Sequence, residues 1–231
     1  MTWHGRRYIF AWRRAVMAVG WWLLPIGLVG MFFFGLMAQA RDPIGQMIGL
    51  SAVAAVGALI GGVQASLILA PADDAAFEIV LAAPRPLAMI LIERLIVVFV
   101  MNAAIAAVGA VVFDLAYPSG ETVIDQLARW FPPFTAMVGL GMTIAIVSRK
   151  SGMGALLAIL LVGSMLFGGF AFLGLFDWAW TLHLFLPVDQ FSAEQVFINR
   201  TLLTAIGAAL IAYSFSLLRN HESLLAAHIS A

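Results

Sequence analysis

The chain has 231 residues, of which 63% are hydrophobic and only 10% charged, and its formal net charge is zero. An average globular domain carries about 25% charged and about 45–50% apolar residues, so this balance excludes a soluble enzyme or a nucleic-acid-binding domain. The absence of cysteine excludes disulfide scaffolds, thiol catalysis and cysteine-ligated zinc. The composition predicts an integral membrane protein.

Six stretches of the chain contain no Asp, Glu, Lys or Arg, and each is 18 to 28 residues long. A helix needs about 20 apolar residues to cross a bilayer core, whereas the strands of a membrane barrel alternate over about ten residues. We therefore predict an all-α integral membrane protein, a single transmembrane domain over residues 1–231 with six transmembrane helices. The predicted spans are residues 15–38, 43–70, 95–113, 130–148, 151–176 and 201–218.

The distribution of basic residues predicts the orientation of these spans. Cytoplasmic loops of membrane proteins carry an excess of Lys and Arg. With both termini inside, nine basic residues fall on the cytoplasmic side and three on the outer side. Both termini are therefore predicted to be cytoplasmic. The use of eleven Arg to one Lys is typical of a GC-rich bacterial genome and favours a bacterial plasma (inner) membrane.

The spacing of basic and aromatic residues over 3–14 predicts an N-terminal interfacial helix that lies along the inner headgroup layer. Arg6 and Arg13 repeat at an interval of seven residues, and Tyr8 and Trp12 lie on the opposite side of the helix. A basic and aromatic amphipathic helix of this kind binds the membrane interface. An ordinary basic flank of the first span explains the same spacing equally well.

The inner loop, residues 71–94, predicts a short amphipathic helix between spans two and three. Asp73 and Asp74 suit a helix N-terminus, where the helix dipole favours negative charge, and Pro84 ends the helix. The apolar residues recur at intervals of three and four and form one face: Phe77, Val80 and Leu81. This face either packs against the protein itself or the lipid surface, or makes a helix-in-groove contact with a cytoplasmic partner.

The outer loop, residues 177–200, is rich in aromatic residues, as expected at the membrane interface. Ser192 and Gln195 match a capping box, in which each side chain bonds to the other residue's backbone amide. We therefore predict a short helix that begins near Ser192 and leads into span six, within an outer helical cap that is partly re-entrant. The alternative is a pair of interfacial anchors.

This layout resembles that of type-2 ABC exporter permeases, the membrane subunits of ATP-binding-cassette transporters. The most telling stretch, Phe77–Pro86, reads Phe-Glu-Ile-Val-Leu-Ala-Ala-Pro-Arg-Pro and is followed by Leu91-Ile92-Glu93-Arg94. It is similar to the family's coupling-helix region, in which a Glu precedes a Leu-Ala-Ala/Thr-Pro turn and the third span starts with a charged pair. The similarity covers the whole chain in layout and about twenty residues in motif.

The resemblance implies a permease driven by a separate cytoplasmic ABC ATPase subunit that grips the coupling helix. It also implies export, and pairing with a second copy of the chain or a homologous permease. ATP and Mg would belong to the partner subunit, and this chain would bind no cofactor. The residues expected to couple to the ATPase are Asp74, Phe77, Glu78, Val80, Leu81, Arg85, Glu93 and Arg94.

Catalysis within this chain is not expected. A P-loop needs two glycines at fixed spacing before its lysine, and they are missing before Lys150, the one lysine of the chain. The four histidines lie in loops and tails without a zinc-binding spacing, and no predicted span contains Asp, Glu, Lys, Arg or His. Proton relays and ion-coupled carriers usually carry such residues inside the membrane, so a secondary transporter is disfavoured.

The polar residues within the predicted spans are few and uncharged. The residues that we expect to line a substrate path are Gln64, Asn102, Phe167 and Phe170. The simpler interpretation of the polar ones is hydrogen bonding between helices. An apolar path with few polar groups favours a lipophilic or amphipathic substrate. A non-transporting membrane scaffold or assembly factor, which would use the inner helix as a docking site, remains the alternative function.

Overall fold

The computed structural model describes residues 20–38, 43–68, 87–116, 122–173, 176–186 and 190–219. These residues form helices and connecting turns, and no strand lies among them, which confirms the predicted all-α class. The helices are α1 (Leu23–Ala38), α2 (Pro43–Ile68), α3 (Leu87–Ala116), α4 (Val123–Ser148), α5 (Ser151–Leu173), a 3-10 helix (Ala179–Leu182) and α6 (Ala193–Arg219).

Among the described residues, three helices are long and apolar enough to cross a membrane. The qualifying segments are Ala88–Val111 in α3, Ile124–Ser148 in α4 and Ala193–Leu218 in α6. They fit a multi-pass membrane protein, while the number of six spans stays a prediction. The predicted interfacial helix at residues 3–14 lies outside the described residues. Of the inner loop, which contains the predicted coupling helix, only residues 87–94 are described.

Three helices begin about two turns before the spans predicted from charge-free stretches. α3 begins at Leu87, α4 at Val123 and α6 at Ala193. In α4 and α6 an acidic residue lies in the first turn, where the helix dipole favours a carboxylate. Asp125 illustrates this, because Thr122 Oγ1 accepts from the Asp125 amide over 3.2 Å and the Asp125 carboxylate accepts from the Thr122 amide over 3.2 Å. The charge-free stretches therefore predict the starts of these three helices about two turns too late.

The predicted helix start near Ser192 is confirmed. Ser192 Oγ accepts from the amide of Gln195 over 3.2 Å, and Gln195 Oε1 accepts from the amide of Ser192 over 3.0 Å. The helix is not a separate short element, however, because α6 runs without a break from Ala193 to Arg219. The part of the described chain between α5 and α6 therefore consists of the 3-10 helix and the turns beside it, and the outer position of this cap stays a prediction.

α4 lies at the centre of the bundle and is the most buried of the three candidate spans. Its main neighbours are α2 and α6, and α5 and α3 pack beside it. Glycines set these contacts: a Cβ added at Gly139 would lie 2.5 Å from the carbonyl oxygen of Gly207 on α6, and one added at Gly141 would collide with the backbone of Gly62 on α2. Small residues allow such close approach between helices in membranes.

An aromatic cluster fills the space between α2, α3 and α4. The rings of Trp130 and Phe134 stack with centroids 4.4 Å apart, and Phe99 meets Phe134 edge-on at 5.0 Å. Gly57 on α2 leaves room for the indole, since a Cβ there would collide with the Trp130 ring. Aromatic pairs in these geometries are favourable beyond the area that they bury.

We predict opposite effects of two glycine-to-alanine changes. Gly141→Ala forces α4 and α2 apart and should destabilise the protein by about 1–3 kcal/mol, the usual cost of overpacking. Gly163→Ala on α5 is the matched control, because no atom lies within 4 Å of its added Cβ. It should be neutral or stabilise by up to about 1 kcal/mol through helix propensity. Thermal unfolding of both variants in detergent measures the difference, and equal stabilities would contradict the assigned packing.

Candidate functional site

A buried amide pair joins α2 to α3. Asn102 Nδ2 donates to Gln64 Oε1 over 2.6 Å and to the carbonyl oxygen of Val98 over 2.8 Å. Gln64 is 0% exposed and Asn102 is 3% exposed. The structure thus brings together the two polar residues of the predicted substrate path, in contact with each other inside the bundle.

The contacts of this pair fix the orientation of both amides. The Asn102 atom that faces the Val98 carbonyl must be a donor, so the Gln64 atom that faces the same nitrogen must be the oxygen. Gln64 Nε2 is consequently turned away from the pair, buried and without a hydrogen-bond partner. A buried donor without an acceptor costs about 1–3 kcal/mol. The Gln64 amide therefore offers two N–H groups to an acceptor oxygen in the bundle interior.

A second buried donor lies on α4, beside another part of α2. Trp130 Nε1 packs against Gly57 and has no hydrogen-bond partner. Trp130 belongs to the same hydrophobic cluster as Val98 and Phe134, which lie on the helices beside the amide pair. The region between α2, α3 and α4 is thus an apolar, aromatic environment with a few N–H donors.

The other half of the predicted path lies on α5. Phe167 and Phe170 belong to α5, but their side chains fall outside the described residues, so their role stays a prediction. A second polar contact between helices joins α4 to α6 instead, where the hydroxyls of Thr143 and Ser214 lie 2.9 Å apart. Both hydroxyls are buried, and this contact fits the simpler interpretation of hydrogen bonding between helices.

Arg94, near the start of α3, forms a hydrogen bond with the end of α2. Its Nη1 donates to the carbonyl oxygen of Ile68, the last residue of α2, over 2.7 Å. The last carbonyls of a helix have no partner within the helix and carry partial negative charge, so a guanidinium there is favourable. Glu93, the other member of the predicted charged pair, lies beside it on α3 and is half-buried.

The remaining residues predicted to couple to an ATPase lie within residues 69–86, outside the described residues. They are Asp74, Phe77, Glu78, Val80, Leu81 and Arg85. The described residues on either side of this stretch are the end of α2 and the start of α3, and Arg94 of α3 is bonded to Ile68 of α2.

Sequence reasoning missed a polar network at the cap. Asn199 on α6 is 3% exposed, and its Nδ2 lies within hydrogen-bond distance of the carbonyl oxygens of Trp180, Thr181 and His183, at 2.8 to 3.0 Å. The capping box at Ser192 predicts the start of the helix but not, by itself, the contacts of Asn199. It starts the helix early enough to place Asn199 inside α6, facing the preceding turn.

The comparisons with known proteins leave the family open. The chain matches no protein-family model, and no curated protein or solved structure shows significant similarity to it. The described residues hold no group of three or more histidine, aspartate or glutamate side chains that would bind a metal ion. The resemblance to type-2 exporter permeases thus depends on the layout of the chain and its inner-loop motif.

We predict strong coupling between Gln64 and Asn102. Asn102→Leu removes the partner of Gln64 Oε1 and leaves the whole buried amide unpaired, which should cost about 1–3 kcal/mol. The double variant Gln64→Leu/Asn102→Leu removes the stranded group as well and should cost less than the sum of the single changes. Unfolding of the three variants in detergent gives the coupling energy. Strictly additive losses would show that the two amides do not interact.

Proposed function

We propose that this chain is the membrane-spanning permease subunit of an ABC transporter that exports a lipophilic or amphipathic substrate. A separate cytoplasmic ATPase subunit supplies the energy and binds ATP and Mg, and two permease chains, identical or homologous, enclose the path. The protein lies in a bacterial plasma membrane with six spans and both termini in the cytoplasm. The support comes from the inner-loop motif and from the way α2 and α3 are joined around it.

One observation carries the proposal: Ile68, the last residue of α2 before residues 69–86, is bonded to Arg94, about two turns into α3. Arg94 bonds to the last carbonyl of α2 over 2.7 Å, and Asn102 bonds to Gln64 over 2.6 Å about one turn further into the bundle. A force applied to the segment between the two helices would therefore move them as a pair. Because α2 packs against α4 through Gly62 and Gly141, that motion would reach the centre of the bundle.

The environment beside the amide pair supports the proposed substrate class. Trp130, Phe134 and Phe99 provide apolar aromatic surface, and the Gln64 amide provides donors without a partner. Ligand sites are typically apolar with a few polar groups that fix orientation. A lipophilic molecule that carries an acceptor oxygen matches this arrangement.

Co-purification tests the proposal first. The full chain, isolated from its host membrane in mild detergent, should bring along a P-loop ATPase that hydrolyses ATP faster in the complex than alone. An ATPase that binds but shows the same rate with and without the chain would favour the scaffold or assembly factor. The absence of any P-loop protein from the complex would contradict the transporter.

We predict that the apolar face of the inner-loop helix carries the coupling. Phe77→Asp/Leu81→Asp should abolish stimulation of the partner ATPase, because two carboxylates replace the apolar contacts, while membrane insertion is retained. The matched control is Ala75→Asp/Ile79→Asp, which adds the same charge on the opposite face of the predicted helix and should preserve stimulation. ATPase rates in proteoliposomes measure both. Full stimulation in the first variant would contradict the assignment of this helix.

A further inference from the structure

We call residues 176–186 the cap, and part of the cap packs into the bundle while Phe176, Trp178 and Leu182 stay exposed. Ala179 in the 3-10 helix is 0% exposed, and His183, Leu184 and Phe185 are buried. Leu184 and Phe185 belong to one hydrophobic cluster with residues of four membrane helices. Those residues are Ala54, Ala55 and Ala58 on α2, Ala136 and Met137 on α4, Ala158 and Val162 on α5, and Leu203 on α6. The small alanine side chains leave space that the two larger cap residues fill.

His183 holds this arrangement together through its neutral form. Its Nδ1 accepts from the backbone amide of Phe185 over 3.2 Å, and its carbonyl oxygen accepts from Asn199. Because Nδ1 is an acceptor, the ring proton of the neutral imidazole resides on Nε2. Nε2 is buried and has no hydrogen-bond partner. In the cap, the His183 imidazole therefore accepts one hydrogen bond at Nδ1, and its N–H at Nε2 has no acceptor.

A second proton on this imidazole is incompatible with the cap as it stands. The proton would bind at Nδ1, which would then present an N–H to the N–H of Phe185 and could no longer accept from it. The positive charge would sit beside an apolar cluster, and its desolvation would be unfavourable. Consistently, burial lowers the pKa of the His183 imidazole.

No charged residue is among the described hydrogen-bond partners of His183. α2 and α5 carry no charged residue. On the cap itself and on the facing ends of α4 and α6, the charged residues are Asp177, Asp125, Arg129, Glu194 and Arg200. Asp125 interacts electrostatically with Arg129 and Arg200. His183 forms hydrogen bonds with the amide of Phe185 and with Asn199, and burial lowers the pKa of its imidazole.

We propose that the cap is a proton-operated plug: protonation of His183 withdraws Leu184 and Phe185 from the bundle and opens the end of the core that they fill. The proton comes from the medium, and the amide of Phe185 exchanges its imidazole acceptor for water. The direction follows from linkage. The inserted cap binds a proton less readily than the released cap, so insertion is most stable above the ordinary histidine pKa and weakens as the pH falls through it. The plug requires neither an ATPase partner nor a particular substrate.

The absence of native cysteines allows a direct test in the full chain reconstituted in nanodiscs. Ala179→Cys places a thiol at a buried position of the cap, and Leu182→Cys places one at a position that is 37% exposed. Both are treated with an anionic methanethiosulfonate reagent, and the ratio of their rates cancels the pH dependence of thiol reactivity. For an open-state pKa near 6.5, the ratio should rise about tenfold between about pH 7.5 and about pH 5.5.

The control variant is His183→Asn in the Ala179→Cys background. Its side-chain oxygen replaces Nδ1 as the acceptor for Phe185 but does not titrate, so the ratio should stay constant with pH. A ratio that is constant in the protein with His183, or that rises equally in both proteins, would overturn the proposal. If His183→Asn does not fold, His183→Gln serves as the non-titrating variant, and Leu184→Cys provides a second buried reporter.

Discussion

The close approach of helix backbones at glycine is the constraint on which the rest of this bundle depends. Helices in a membrane gain little from the hydrophobic effect against one another, so their association relies on tight packing and on hydrogen bonds. α4 meets α2 where Gly141 faces Gly62, and it meets α6 where Gly139 faces Gly207. These contacts fix the register of three helices. The stacked Trp130 and Phe134, and the hydroxyl contact of Thr143 with Ser214, follow from that register.

The same constraint explains where the polar groups are. A polar side chain in an apolar interior needs an internal partner, and partners are found where two helices are already close. Gln64 lies two residues after Gly62, and Thr143 lies two residues after Gly141. Their partners come from α3 and α6 respectively. The unpaired N–H groups of Gln64 and Trp130 mark two positions where close packing leaves a buried donor without an acceptor.

The sequence allowed prediction of the helical class and the approximate helix positions, because the exclusion of charge from apolar helices is a strong and local signal. It failed at the N-terminus of α4, where capping by Thr122 lets the helix begin among polar residues, whereas the capping box at Ser192 predicts the start of α6. Gln64 and Asn102 were selected for their polarity alone. Their pairing depends on the antiparallel register of α2 and α3, which no local pattern encodes. The burial of His183 depends likewise on the space left by distant alanines of α2.

These relations make α2 the element that connects the two functional proposals. One of its ends is bonded to Arg94 beside the segment predicted to meet an ATPase, and its alanines Ala54 and Ala58 belong to the cluster that receives the cap. The distance along the helix from Ile68 to Ala54 is about 21 Å at 1.5 Å per residue. Since Gly62 is in backbone contact with α4, α2 has little freedom to bend between these points. A displacement at Ile68 would therefore change the space available to Leu184 and Phe185, so that force on the inner loop and protonation of His183 would act on the same helix from two places.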